Sequence, residues 1–344
     1  MKVVSSPFLR ACRREAADRT PVWLMRQAGR YMPEYRAIRA RFGFLELCKD
    51  SEAAAEVTLL PVERLGVDAA IIFADILLPV EPMGVGLEFA KGEGPIIHRP
   101  VRSAGDLGRL AEVDPLEATP FVFEATRKVR AALGERVPLI GFAGAPFTLA
   151  SYLIEGGPSR DYLHTKRLMH DDQATWHSLM ERLQKVTVGY LNGQISAGAQ
   201  AVQLFDSWVG ILSPNDYREF VLPWTRGTIK GVTAGVPVIH FGTGTAGLLS
   251  LMREAGGDVI GLDWRVDLGE AWKRLGYDVA VQGNLDPAVL LAKPTEIRRH
   301  VRAILERAAG RPGHIFNLGH GVLPETPVDH VVAMVEMVHD LSRR

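Results

Sequence analysis

The chain has 344 residues, of which 47% are hydrophobic and 23% are charged, a composition typical of soluble globular proteins. Forty basic residues balance forty acidic ones, so no overall electric field favours a nucleic acid or a membrane surface as a partner. The chain shows no signal-peptide core, and its two cysteines, Cys12 and Cys48, match no disulfide framework, so we expect a cytosolic protein.

Short apolar runs alternate along the chain with longer segments of helical periodicity. This alternation is typical of βαβ units and a parallel sheet, and fully apolar strands suit a sheet covered on both faces. Eight runs are predicted as strands: Val22–Met25, Ala69–Phe73, Pro138–Phe142, Ala201–Phe205, Val236–Phe241, Val259–Asp263, Val279–Gln282 and Ile315–Leu318. Eight strands with intervening helices predict an α/β fold of the (β/α)8 barrel type. A doubly wound open sheet is the alternative.

Helices are predicted over 51–65, 119–133 and 172–197, and more than one helix in 143–200. Ser213-Pro214 and Thr326-Pro327 are each followed by an acid, which predicts capped helix starts. The segment 76–100 is rich in Gly and Pro and predicts a strand-and-turn insertion after strand 2. No linker divides the chain, so residues 1–344 are predicted as a single domain with extra loops.

The first apolar run ends in a cluster of arginines. Arg26 and Arg30 follow it, and Arg36 and Arg39 come soon after, within a segment, 1–49, whose net charge is +7. Arginine binds two oxygens of a carboxylate or phosphate at once and stays charged at any working pH. The cluster therefore predicts an anion-binding site, with ordinary surface ion pairs as the alternative.

Polar residues follow the other predicted strands, where barrel enzymes carry their chemistry. They are Asp75, Tyr152, Asp206, Ser207, His240, Asp263, Trp264, Asn284, Asn317 and His320. A helix cap, core packing or a satisfied buried group is the alternative for each, and is favoured for His240 and Asp263. The loop Gly242-Thr-Gly-Thr245 offers backbone N–H groups to an anion but matches no phosphate-binding fingerprint. No spacing matches a metal site, and no G-x-S-x-G supports a serine hydrolase.

Three segments closely resemble the uroporphyrinogen decarboxylase family: Met25–Arg36 (MRQAGRYMPEYR), Gly141–Leu149 (GFAGAPFTL) and Asn317–Gly321 (NLGHG). The resemblance extends over essentially the whole chain. It implies a distorted (β/α)8 barrel and a cytosolic homodimer that works without metal or organic cofactor. The implied reaction converts uroporphyrinogen III to coproporphyrinogen III by removing carbon dioxide from four acetate side chains, a step in haem and chlorophyll synthesis.

The resemblance also implies roles for individual residues. The implied substrate-binding set has four parts. Near the substrate carboxylates are Arg26, Gln27, Arg30 and Arg39, and the aspartate that faces the pyrrole nitrogens is Asp75. The polar cleft residues are Tyr152, Ser207 and His320, and the aromatic cleft residues are Phe142, Phe205 and Tyr35. The catalytic candidates are Asp75, Arg26, Tyr152 and His320, and which of them is the general acid stays open.

The chemistry of such a substrate agrees with these residue types. Its eight carboxylates need arginines, and its four converging pyrrole N–H groups suit one carboxylate, which accepts in about four lone-pair directions. Loss of carbon dioxide needs an electron sink, which a protonated pyrrole supplies. Asp75 is placed to stabilise that cation.

Two rival functions remain at this point. Zinc methyltransferases of the same superfamily need a His-x-Cys pair after strand 5 and a later cysteine, whereas His240 is followed by Phe241-Gly242 and no cysteine lies beyond Cys48. A non-catalytic tetrapyrrole carrier would share the arginines but would not need Asp75 or His320.

Overall fold

The computed structural model describes residues 6–90 and 94–344. The strands in these residues are β1 Ala70–Ile71, β2 Leu87–Ala90, β3 Gly94–Ile97, β4 Leu139–Gly144, β5 Ala201–Asp206, β6 Val238–Gly242, β7 Val259–Gly261, β8 Ala280–Gln282 and β9 His314–Ile315. Strands β1 and β4 to β9 form one parallel sheet in chain order. Strands β2 and β3 form an antiparallel pair, which confirms the predicted insertion. Residues 91–93, between them in the sequence, lie outside the described residues.

The helices surround this sheet. They are α1 Pro7–Cys12, α2 Pro33–Arg39, α3 Phe44–Lys49, α4 Ser51–Leu65, α5 Ala104–Leu107, α6 Pro115–Ala118, α7 Pro120–Leu133, α8 Pro146–Glu155, α9 Leu163–Asp171, α10 Gln173–Ser196, α11 Pro214–Asp216, α12 Leu222–Gly231, α13 Leu249–Ala255, α14 Leu268–Leu275, α15 Pro294–Ala308 and α16 Val328–Ser342. Of the helices in the two described ranges, none combines the length and the apolar character that crossing a membrane requires.

The first predicted strand closes the barrel. Val22 forms a parallel bridge with Phe316, next to β9. On its other side, the Val22 carbonyl accepts the N–H of Asp68, just before β1, at 2.7 Å. The segment therefore bonds to both edges of the seven-stranded sheet, and the (β/α)8 barrel is confirmed over the open sheet. Its predicted extent is wrong, because pairing is confined to Val22 and Met25 already lies in a turn.

The predicted helices are largely confirmed, with differences at two starts. The Ser213 hydroxyl accepts the N–H of Asp216 at 3.1 Å, as a cap does, but a π-helical turn, Tyr217–Val221, separates this start from α12. The cap predicted at Thr326 is wrong. Helix α16 begins only at Val328, and the buried Thr326 hydroxyl has no hydrogen-bond partner in the described part of the chain.

The barrel interior contains a polar layer that no sequence pattern indicated. The indole N–H of Trp23 donates to Gln282 Oε1 at 2.9 Å, and Gln282 Nε2 donates to Gln203 Oε1 at 3.0 Å. All three side chains are at most 1% exposed. Because buried polar groups need partners, this chain of bonds fixes the first segment against β8 and β5, immediately before the arginine cluster.

Candidate active site

The chain turns sharply at Arg26, directly after the segment that closes the barrel. The buried Asn317 fixes the approach, because its Oδ1 accepts the N–H groups of Met25 at 3.1 Å and Leu318 at 2.8 Å. Arg26 then adopts a left-handed backbone with φ of 56°, an uncommon conformation for a residue other than glycine. Its aliphatic stem packs on Gly321, where an added Cβ would lie 2.7 Å from Arg26 Cγ. The exposed Arg26 side chain is thereby held against the loop after β9.

Gln27 serves the fold at this turn. It is 1% exposed, its Oε1 accepts the Leu24 N–H at 3.1 Å, and its Nε2 donates to the Ala69 carbonyl at 3.1 Å. The amide thus ties the arginine turn to the strand β1. Both ends of the amide bind backbone within the protein, and the substrate contact expected of Gln27 stays a prediction.

The other arginines of the cluster differ in what they contact. Arg30 is exposed, and its carbonyl accepts a hydrogen bond from the guanidinium of Arg36 at 2.8 Å, so Arg36 holds the turn. Arg39 ends α2 and is half-buried. Its guanidinium lies 5.7 Å from the centroid of the Phe44 ring and donates to the carbonyl of Phe42. Arg30 is thus the more accessible cation of the two.

Asp75 lies in the loop after β1. Its Oδ1 accepts the N–H of Leu77 at 2.8 Å, whereas Oδ2 has no hydrogen-bond partner in the described ranges. Burial raises the pKa of Asp75 to about 6, although the Leu77 bond and the positive charge of Arg26 act to lower it. The carboxyl group is therefore ionised at neutral pH, with one oxygen still available.

His320 lies in the loop after β9 as a neutral imidazole. Burial lowers the pKa of His320 to about 4, and the positive charges of Arg26 and Arg265 act in the same direction. Its Nδ1 accepts the N–H of Gly321 at 2.7 Å, so the ring proton must be on Nε2. Nε2–H is consequently a fixed hydrogen-bond donor.

Tyr152 and Ser207 approach from neighbouring elements. Tyr152 lies on α8, and its ring packs edge-on against Trp208, with centroids 5.5 Å apart. Burial raises the pKa of Tyr152 to about 12, and the negative charge of Asp75 adds to this increase. Ser207 follows β5, and its carbonyl accepts the hydroxyl of Thr243. Tyr152 therefore keeps its proton at any physiological pH.

The charge of Arg26 reaches the other three catalytic candidates. The charge of Arg26 acts to lower the pKa of Asp75, of Tyr152 and of His320. These residues come from four different segments of the chain and meet at the carboxyl ends of the parallel strands. The charge of Arg26 thus links residues that the sequence analysis selected one strand at a time, and their joint action as one site stays a prediction.

The predicted aromatic residues form two ring pairs. Phe142 on β4 and Phe205 on β5 meet edge to face, with centroids 5.5 Å apart, and Tyr35 on α2 packs against Phe73 with centroids 5.8 Å apart. Phe142 is 8% exposed and Tyr35 is 5% exposed. Phe142 and Tyr35 can therefore expose little more than a ring edge to a cleft, whereas the half-buried Phe205 can expose more of its ring.

Sequence reasoning missed how the Ser207 turn is held. Thr148 donates its hydroxyl to the fully buried Asp206 at 2.9 Å and accepts the N–H of Trp208 at 3.3 Å. Burial raises the pKa of Asp206 to about 7. A signal for Thr148 was present in the sequence, because this residue belongs to Gly141–Leu149, one of the three segments that resemble the family.

His240 and Asp263, for which the sequence favoured a structural role, lie inside the protein. His240 is fully buried, and burial lowers its pKa to about 4. The carboxylate of Asp263 accepts the N–H of Gly244, so the loop 242–245 binds an anion of the protein itself. Across residues 6–90 and 94–344, no three His, Cys, Asp or Glu side chains are grouped as metal ligands would be.

Comparison with solved structures shows the same fold. A methyltransferase from Methanosarcina mazei superposes with a TM-score of 0.81 over 97% of each chain, at 20% sequence identity. A putative vitamin-B12 independent methionine synthase from Listeria monocytogenes superposes with a TM-score of 0.58, over 95% of this chain and 97% of the other, at 14% identity. At these identities the likeness concerns the fold alone.

Comparison of sequences identifies the family. The family model described as Uroporphyrinogen decarboxylase (URO-D) matches residues 4–341. A protein from Sorangium cellulosum named uroporphyrinogen decarboxylase is 59% identical, covering 98% of this chain and 96% of the relative. One of the same name from Chloroflexus aurantiacus is 58% identical, covering 96% and 94%. The chain belongs to the uroporphyrinogen decarboxylase family.

Proposed function

We propose that this member of the family removes carbon dioxide from the four acetate side chains of uroporphyrinogen III and releases coproporphyrinogen III. The chain is an enzyme of the carboxy-lyase class, since near-full-length relatives at 52–59% identity carry the decarboxylase name. The observation that carries the proposed site is the partly buried carboxylate of Asp75, which the charge of Arg26 reaches together with Tyr152 and His320.

Binding uses two kinds of contact. The eight carboxylates of the substrate pair with Arg26, Arg30 and Arg39, because guanidinium groups bind carboxylate edges with two hydrogen bonds. The four pyrrole N–H groups converge on Asp75. One of its roughly four lone-pair directions is used by Leu77, so about three remain to be shared by the four pyrrole N–H groups.

Each of the four steps replaces one carbon dioxide by one proton. Protonation of a pyrrole carbon gives a cation, and the bond between the acetate methylene and its carboxylate then breaks. The electron pair of that bond moves into the ring, carbon dioxide leaves, the methylene carbon takes up a proton to become a methyl group, and the ring carbon returns its own proton. The negative charge of Asp75 beside the pyrrole nitrogens stabilises the cation and therefore lowers the barrier.

The protonation states support a division of roles. His320 is neutral above about pH 4, so its Nε2–H donates a hydrogen bond to a substrate carboxylate and is not the source of an imidazolium proton. Arg26, Tyr152 and Asp75 remain as candidates for the general acid. Arginine is a poor acid, so Arg26 would act chiefly by holding a carboxylate.

The experiment is a single incubation. The protein is mixed anaerobically with uroporphyrinogen III, and the products with seven, six, five and four carboxylates are separated by chromatography. We expect all four to appear in turn, ending in coproporphyrinogen III. Recovery of bound but unchanged uroporphyrinogen would identify a carrier and overturn the proposal, and a stoichiometric zinc content would instead favour a methyltransferase.

The family resemblance further supports a homodimer of single-domain chains, residues 1–344, in the cytosol, supplying porphyrin and haem synthesis. Light scattering coupled to gel filtration tests the dimer. A mass near twice 37.8 kDa is expected, and a mass equal to that of one chain contradicts it.

A further inference from the structure

A further arginine lies in the loop after β7, at the same end of the barrel as the candidate site. Arg265 follows Asp263 and Trp264, and its side chain is 53% exposed. It lies outside the three segments that carry the family resemblance, and none of the roles described above uses it. An exposed cation at this end of the barrel is accessible to an anionic ligand.

The guanidinium of Arg265 is held on one edge and one face. Nη1 donates to Asp263 Oδ2 at 2.9 Å, and Cζ lies 3.8 Å from the centroid of the Trp264 ring, a cation–π contact. Asp263 is itself fixed, because it is 1% exposed and also accepts the backbone N–H of Gly244. The plane of the guanidinium is therefore oriented before any ligand arrives.

The opposite edge of this guanidinium is available. Nε and Nη2 of Arg265 have no hydrogen-bond partner among residues 6–90 and 94–344. These two N–H groups form the side-on fork that binds a carboxylate with two parallel hydrogen bonds. An oriented plane with a free fork loses less entropy on binding than a mobile side chain does.

Arg265 is also connected to the candidate site. The Trp264 ring, which it covers, packs edge-on against His320 with centroids 6.2 Å apart. The positive charges of Arg26 and Arg265 both act to lower the pKa of His320. His320 therefore has a guanidinium within electrostatic reach on each of two loops that are far apart in sequence.

Resting on the proposed function, we infer that Arg265 binds a propionate side chain of the substrate from the β7 side of the cleft. Arg26, Arg30 and Arg39 all belong to one segment of chain and serve only part of the rim of a macrocycle with eight carboxylates. Arg265 is exposed at the rim, where the propionates reach, whereas Asp75 faces the pyrrole nitrogens at the centre of the macrocycle. A propionate is kept through all four decarboxylations, so this contact is kept too.

The test compares steady-state kinetics of Arg265→Gln and Arg265→Lys with the wild type and with Arg253→Gln. Arg253 is the control, an arginine whose side chain is 34% exposed and forms an ion pair with Asp278 at 2.8 Å, outside the loops that carry the candidate site. For Arg265→Gln we expect KM for uroporphyrinogen III to rise about five- to tenfold with kcat within twofold, as for a partly exposed charge-assisted contact. Arg265→Lys should fall in between, and Arg253→Gln should match the wild type.

Further readouts separate substrate contact from mere support of Asp263. Because propionates persist, the rise in KM should be the same for the intermediates with seven, six and five carboxylates, and should shrink in 0.5 M salt. A purely structural role predicts a lower melting temperature and a smaller active fraction at unchanged KM, and this pattern overturns the inference. Wild-type turnover with KM unchanged in Arg265→Gln overturns the inference alone, whereas a wild type that makes no coproporphyrinogen overturns the proposed function together with it.

Discussion

Replacing Asp75 by Asn should slow catalysis strongly while making the fold more stable. Asn keeps an oxygen that can accept the Leu77 N–H, which Asp75 binds at 2.8 Å, so the loop after β1 keeps its shape. The change removes the negative charge that stabilises the pyrrole cation. Loss of one such preorganised electrostatic contact typically lowers kcat by about 10²- to 10³-fold.

The stability gain follows from the pKa of Asp75, which burial raises from 3.8 to about 6. Folding favours the neutral form of the Asp75 carboxyl group. The stability that this form contributes is complete below about pH 3.8 and is lost as the pH rises through about 6. Ionisation of Asp75 therefore lowers the free energy of unfolding of the wild type by at most about 3 kcal/mol at pH 8, and by about half of that at pH 5. Asn is neutral at every pH, so Asp75→Asn should melt about 5 °C higher than the wild type at pH 8, with a smaller difference at pH 5.

Two measurements test this prediction, with Asp206→Asn as the control. Asp206 is also a buried carboxyl at a strand end, and burial raises its pKa to about 7, but its role is to accept the Thr148 hydroxyl. Product chromatography gives turnover, and thermal melts at pH 5 and pH 8 give stability. Turnover of Asp75→Asn within tenfold of the wild type, about 1.4 kcal/mol of barrier, would refute the central role of Asp75. A lower melting temperature at pH 8 would refute the argument from burial.

Three further predictions concern the surrounding residues. His320→Asn should lower kcat/KM by about tenfold through loss of the Nε2–H donor. The acid limb of the pH–activity profile of His320→Asn should nevertheless stay near pH 6, where Asp75 loses its charge, since burial holds the pKa of His320 at about 4. Arg30→Ala should raise KM about tenfold at low salt, and less at high salt, because an exposed cation is screened. Gly321→Ala should leave the fold intact but raise KM severalfold, because the new Cβ would lie 2.7 Å from Arg26 Cγ and displace that side chain.

Each of these three predictions is contradicted by a different result. A pH profile whose acid limb disappears in His320→Asn would show that the imidazole itself titrates there. Unchanged KM and kcat in Arg30→Ala at low salt would remove Arg30 from the binding set, and Arg167→Ala, an exposed arginine on α9, serves as the control. Gly247→Ala, where an added Cβ meets nothing within 4 Å, is the control for Gly321→Ala, and equal behaviour of the two would contradict the proposed packing of Arg26.

The sequence indicated which side chains belong to the candidate site but not what each one does there. Arg26 and His320 were selected because they follow apolar runs. The burial that lowers the pKa of His320 to about 4 comes from residues distant in the chain. The motif places Gln27 among the arginines, but only the structure shows that its amide binds backbone at Leu24 and Ala69. Residue type and position in a motif do not encode the direction in which a side chain points.

The sequence by itself determined the alternation of strands and helices, the strand-end loops and the family. Periodicity and short apolar runs are local properties, and each run shows in its own residues whether both of its faces will be buried. Only the tertiary structure decided how the ring closes at Val22, how Asn317 holds the Met25 N–H across 292 residues of chain, and that Arg265 stands beside His320. These contacts join segments distant in sequence. Their energies depend on the water that closing the barrel excludes, so the raised pKa of Asp75 exists only in the folded protein.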